Sequence, residues 1–212
     1  ADIEKAKLEQ KNYNELEAKE AVEKKIIPDD SKIKSRKEDV VAIVIGHGHQ
    51  DHCLGIPKLA ESYECPIVAT PYTVSIIKRI VENDEKEIDN KLISLEPGDK
   101  LEITNNIDLE FIPVTHSIPQ TVLPLLRTCE GTIMYSLDFK FDNKPVLEKE
   151  ADDDKLKNLG REDIDALIVD CTRSDEPGKA NSEMYVKERL EKILKKAKID
   201  QEQISPLVGQ EQ

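Results

Sequence analysis

Residues 40–45, Val-Val-Ala-Ile-Val-Ile, are six apolar positions in a row, and they run directly into Gly46-His47-Gly48-His49-Gln50-Asp51-His52. An unbroken apolar run of this length, rich in β-branched residues, predicts a strand buried on both faces. Such a strand belongs inside a sheet that is covered on each side, so the chain must build layers. The run also ends on four groups able to bind a metal within six residues. His47 and His49 are two apart, which in extended backbone puts both rings on one side, where they can share one ion. Asp51 and His52 follow at a bend that can aim them at a second ion nearby.

The chain has only four histidines in 212 residues. The fourth, His116, closes the predicted strand in "FIPVTH" and can supply a third nitrogen to the first ion. Asp138, in "MYSLDFKFD", also ends a predicted strand, where a carboxylate can bridge two cations. Asp142 lies close by and reads as a turn residue.

The elements around these positions alternate without a strict βαβ order. "IPKLAESY" predicts a short helix, "CPIVAT" a buried strand, and "PYTVSIIKRIVEN" a helix with Pro71 in its first turn. "KLISL", "KLEI" and "IDLEFIPV" predict successive strands with a turn at "EPGD". "TVLPLLRT" and "TIMYSL" flank "CEG" as a hairpin. "IDALIVD", 164–170, predicts another buried strand. A last helix starting near Asn181-Ser182 would present Val186, Leu190, Ile193, Leu194 and Ala197 on one apolar face. Residues 1–25, rich in Glu, Lys and Ala, predict a solvated helix leading through a loop to residue 39, with the main domain over 40–212. The pattern implies a layered α/β sandwich.

Composition removes some functions. The net charge of −13 argues against a generally basic surface for nucleic acid, although ions and a local patch can still hold phosphates. No apolar run approaches the roughly 18 residues that span a bilayer, and residues 1–20 contain no secretory h-region. No membrane partner and a cytoplasmic location are expected. The four cysteines, Cys53, Cys65, Cys129 and Cys171, show no CxxC spacing and are expected to be free and mostly buried.

The HxHxDH motif with a downstream strand-end His and a downstream strand-end Asp resembles the metallo-β-lactamase superfamily. Within it, "VTHSIPQTVLPLLRTCEGTIMYSLDFKFD" and "ALIVDCTRSDEPGKANSE" are similar to the ribonuclease J family, and the "IIPDD" lead-in is similar to its archaeal members. The likeness runs from about Pro28 to Lys195. It implies an αββα sandwich and two zinc ions, with manganese also suiting the residue types. His47, His49 and His116 would hold the first ion, Asp51 and His52 the second, and Asp138 both. It further implies RNA with a 5′ monophosphate as substrate, degraded 5′ to 3′ with internal cutting as well, by a metal-activated water. Asp51 would steer that water or take its proton. A homo-oligomer is implied for the full-length protein. The competing readings are a small-molecule hydrolase acting on thioesters or β-lactams, and an inactive metal-binding module.

Some positions depart from the family pattern. Leu54 and Leu137 stand where small residues are usual, and Cys171 replaces a serine. The family's glycine-rich first hairpin, its early strand-end Asp and its inserted β-CASP domain have no counterpart here. A later histidine that completes the second ion's site is missing as well. The expectation is therefore a fragment of a catalytic domain, incomplete at its N-terminal edge, with uncovered strand edges and poor activity alone.

Overall fold

The computed structural model describes Tyr13, residues 16–172 and residues 174–197. Two sheets stack between helices. The first is parallel, in the order β1 (Ile43–Ile45), β2 (Ile67–Ala69), β3 (Leu92–Ser94). The second runs β4 (Lys100–Thr104), β5 (Ile107–Pro113), β6 (Val122–Thr128), β7 (Gly131–Ser136), β8 (Ala166–Val169). Its neighbours are antiparallel except for the parallel β7–β8 pair.

The period-two alternation of side chains decides which layer each residue enters. Ile43 and Ile45 of β1, Ile67 and Ala69 of β2 and Leu92 of β3 face outward. They are covered by Cys53, Ile56, Val74 and Ile77 from α2 (Gln50–Cys53), α3 (Ile56–Leu59) and α4 (Pro71–Asn83). Val44, Val68 and Ile93, one position out of phase, meet Leu109, Phe111, Val122 and Leu126 of the second sheet. The opposite parity of that sheet, Ile112, Leu123, Leu125 and Met134, packs under Leu156 and Leu159 of α5 (Asp153–Leu159). This is the expected αββα layering.

Glu110 lies on the α5 side of β5 and is 5% exposed. Arg127 Nη1 at 2.7 Å, Lys155 Nζ at 2.8 Å and Lys100 Nζ at 3.4 Å surround its carboxylate. Burial alone would raise its pKa. The hydrogen bonds from Lys155 and Arg127, with the charges of Lys155 and Lys100, outweigh burial and bring it to about 2. A depressed folded pKa stabilises the fold above the ordinary glutamate value, and that stability is lost as pH falls from about 4.5 to about 2. Glu110→Gln should therefore cost about 2 kcal/mol at pH 7. The gap to wild type should close toward pH 2 in urea titrations run across that window.

Four expectations need correction. β8 is exposed rather than buried, with Leu167 57%, Ile168 55% and Val169 47% accessible. It pairs with β7 alone, and among the described residues nothing covers its faces. β1 is only half-buried for the same kind of reason, since β2 is its sole strand partner among the described residues. The lead-in, of which α1 (Ala18–Glu23) is described as helical, is not simply solvated. Tyr13, Ala21 and Ile27 are buried against Leu54 and Leu59. The helix expected over the earlier residues otherwise lies outside the described residues. Of the cysteines, Cys53 and Cys65 are buried but Cys129 and Cys171 are exposed, and all four are free.

The last helix, α6 (Glu183–Ala197), begins beside the expected start. Ser182 Oγ accepts the Tyr185 amide at 3.1 Å, as a helix cap does. Its apolar face is open, with Val186, Leu190 and Ile193 all more than half exposed. Among the described residues no helix is long and apolar enough to cross a membrane.

Candidate metal centre

The six residues singled out in the sequence come from three separate segments, and the fold brings them together at one end of the two sheets. His47, His49, His116 and Asp138 each place a ligand-type atom within 4.8 Å of the others, and so do Asp51, His52 and Asp138. Asp138 belongs to both groups. Its Oδ2 lies 3.7 Å from His47 Nε2, 3.5 Å from His52 Nε2 and 3.4 Å from His116 Nε2. His116 Nε2 is 3.2 Å from His49 Nδ1. The ring centroids of His47 and His52 are 4.1 Å apart.

Local backbone explains how the first loop achieves this. β1 stops at Ile45, and Gly46 turns the chain across the top of the second sheet, where its carbonyl accepts the Val122 amide at 2.9 Å. A Cβ on Gly46 would sit 2.8 Å from the Val122 carbonyl oxygen and inside the side chain of Leu137. Leu137 is buried. The large residue at 137 and the absent side chain at 46 thus fill one space between them, which accounts for a departure noted in the sequence. His49 is extended, and its carbonyl receives the amides of His52 (3.1 Å) and Cys53 (3.2 Å). That tight turn sets Asp51 and His52 in the first turn of α2. The Cys53 thiol donates to the same carbonyl at 3.0 Å, and burial, with the charge of Asp51, pushes its pKa up to about 12. It is a structural thiol.

His116 and Asp138 lie on loops rather than within strands, and an isolated antiparallel bridge between Thr115 and Lys140 ties those loops together. The Lys140 amide donates to the Thr115 carbonyl at 2.8 Å, and the Thr115 hydroxyl donates to the Lys140 carbonyl. Beyond His116, Gln120 adopts a left-handed φ of 57° and accepts the Tyr72 amide of α4 through Oε1 at 2.8 Å.

The electrostatics favour neutral rings. His47 is fully buried, and burial, then the neighbouring His52, His116 and His49, brings its pKa to about 3. His116 is also lowered, by burial and by His49, with Asp138 opposing. Neutral imidazoles keep a lone pair for a cation. Both ring nitrogens of His47 are buried without a hydrogen-bond partner. Buried polar atoms of this kind are normally satisfied, because an unpaired one costs about 1–3 kcal/mol. An imidazole and carboxylate donor set with an orphaned buried ring suits a divalent metal ion.

A family model described as "Beta-lactamase superfamily domain" matches residues 28–198. The chain belongs to the β-lactamase superfamily. The match starts at Pro28, where the likeness read from the sequence also begins. Among curated relatives, ribonuclease J of Methanocaldococcus jannaschii is 41% identical over 187 residues, covering 88% of this chain and 42% of the relative. Ribonuclease J of Pyrococcus abyssi is 38% identical over 192 residues, covering 90% of this chain and 40% of the relative. Ribonuclease J 1 of Streptococcus pyogenes is 36% identical over 170 residues, 80% of this chain and 30% of the relative. The chain thus spans about two-fifths of the length of the first two. Superfamily membership agrees with the fold and with the resemblance read from HxHxDH, HSIP and DFKFD.

The sequence reading missed two contributors. Leu54 looked only like a departure, yet its carbonyl accepts the Tyr13 hydroxyl at 2.5 Å and anchors the lead-in to the ligand helix. Asp142 looked like a turn residue, but it is buried with several partners. A carboxylate four residues from another, with a lysine between them, was the available signal.

Proposed function

We propose that the cluster holds two divalent cations, zinc in the first instance, and that the chain forms part of the catalytic domain of a ribonuclease. His47, His49 and His116 would hold one ion, Asp51 and His52 the other, and Asp138 both. The observation that carries the metal reading is the pair of buried, unpartnered ring nitrogens on His47. Four imidazoles against two carboxylates favour zinc over an oxygen-preferring ion such as manganese.

Bound there, such cations supply a water of lowered pKa and positive charge opposite the oxygens of a scissile phosphate. The rest falls to the chain. Asp138 fixes three rings about one carboxylate oxygen. Asp51, largely exposed, with Oδ2 3.3 Å from His52 Nε2, is placed to take a proton from the attacking water. The buried floor under His47 keeps bulk solvent from the inner side of the cluster.

The names of the relatives support RNA as substrate. Within this reading the enzyme works 5′ to 3′ from a 5′ monophosphate, cuts internally as well, and acts as a homo-oligomer. Free thiols at all four cysteines suit a reducing, cytoplasmic setting.

The test uses the longest natural polypeptide that carries this sequence, with one RNA prepared as its 5′ monophosphate and as its 5′ triphosphate. Mononucleotide release from the monophosphate form, lost by at least about a hundredfold (about 3 kcal/mol) in His116→Ala, is expected. Hydrolysis of a thioester or β-lactam with the RNA left intact overturns the reading. The 212-residue chain by itself should degrade RNA poorly, because among the described residues the second ion has only Asp51, His52 and Asp138 to hold it.

A further inference from the structure

Asp142 lies outside both ligand groups, yet its carboxylate is buried, and the residue ties its own loop, which carries Asp138, to Thr115 beside His116 through its amide and to the start of α6 through its carboxylate. Oδ1 accepts the Lys144 amide at 2.9 Å and Oδ2 accepts the Glu183 amide at 2.7 Å. Lys140 Nζ is 2.8 Å from Oδ2. The Asp142 amide donates to Thr115 Oγ1 at 3.4 Å, and that hydroxyl donates to the Lys140 carbonyl. A single residue therefore closes a ring from the loop of His116, through Thr115, to the loop of Asp138, through Lys140.

The same carboxylate fastens the start of α6 to this ring. Glu183 returns the contact, its Oε2 accepting the Val146 amide at 2.8 Å, and the Met184 amide donates to the Lys144 carbonyl at 3.2 Å. A buried carboxylate satisfied by two amides and one ammonium is a firm fixture, because hydrogen bonds to an ionised acceptor are the stronger kind and the carboxylate itself has no water to fall back on. The strands cannot do this work themselves. β5 ends at Pro113 and β7 at Ser136, so His116 and Asp138 both sit beyond the regular ladder.

We infer that Asp142 is a positioning residue that sets the distance between His116 and Asp138 and thereby the affinity of the centre for its cations. The inference rests on the metal reading above. Groups that hold ligands without touching the ion change metal affinity by about 10–100-fold when lost. Asp142→Asn keeps the volume but gives up the charge that Lys140 and the two amides share. Thr115→Val breaks the ring at its other joint without altering charge.

The experiment is calorimetric titration of the metal-free chain with Zn²⁺ alone, alongside thermal unfolding in chelator. Asp142→Asn and Thr115→Val should each weaken Zn²⁺ binding at least tenfold while unfolding in chelator as cooperatively as wild type. Asp142→Glu should recover part of the affinity. If wild type binds Zn²⁺ and both folded variants bind it equally well, the inference is overturned and the metal reading stands. Should Asp142→Asn fail to fold, Thr115→Val decides alone. If wild type takes up no Zn²⁺, the metal reading fails and this inference fails with it.

Discussion

Asp138→Ala should take the chain from two bound ions to less than one. Among the described residues Asp138 alone belongs to both ligand groups, and its Oδ2 is the common neighbour of three imidazole nitrogens. Without it the first group keeps three imidazoles, and no carboxylate remains to offset the charge of a cation. The second group is left with Asp51 and His52, too few to hold an ion against water. Affinity should fall by more than about a hundredfold, or about 3 kcal/mol, at both positions. Asp51→Ala makes the contrast, because it touches the second group alone and should spare the first ion. Metal analysis after gel filtration, with both variants beside wild type, measures this directly. Wild-type metal content in Asp138→Ala would remove Asp138 from the centre.

The second large effect is on stability and lies far from the metal. Lys58, on α3, and Asp84, at the end of α4, form an ion pair at 3.5 Å with side chains 0% and 1% exposed. Lys58 Nζ also donates to the Leu16 carbonyl at 2.9 Å and stands 4.5 Å above the Tyr13 ring. Lys58→Met strands the Asp84 carboxylate, whose Oδ2 already lacks a hydrogen-bond partner. Leaving one member of a buried pair uncompensated costs about 3–5 kcal/mol, a loss of roughly 10 °C in Tm for a domain of this size. Replacing both members, as Lys58→Met with Asp84→Leu, should restore most of the loss, since the desolvation of two charges is then relieved. Chemical unfolding of the two single variants and the double variant closes the cycle. A single variant within about 0.5 kcal/mol of wild type would show the pair to be inert.

The two predictions also mark what the sequence made legible. The ligand segments were readable because histidine is scarce and its four copies fall at the ends of apolar runs. The layering was readable because residues 40–45 and 66–69 are unbroken apolar runs, which need cover on both faces. The structure then sorts Ile43, Ile45, Ile67 and Ala69 to one layer and Val44 and Val68 to the other. β8 was misjudged in burial, and the open apolar face of α6 has the same cause. Apolar residues such as Ile168 and Leu190 state a need for cover, and the chain's own described residues do not provide it. Lys58 and Asp142 stayed hidden because a charged residue reads as surface until its partner is known. In each case the partner lies 26 or more positions away, at Asp84 or at Glu183.

The placement of the cluster has one more consequence. His47, His49, Asp51 and His52 follow β1 of the parallel sheet, whereas His116 and Asp138 follow β5 and β7 of the second sheet, and the Gly46–Val122 hydrogen bond crosses the same seam. A cation held by both sets is a rivet through two plates. Loading the ion then adds to the stability of a sandwich whose sheets are already packed through Val68, Phe111 and Val122, with metal affinity counting toward folding free energy. Chelation should remove the fastening at the one edge where the ligands meet and leave the plates joined through their core.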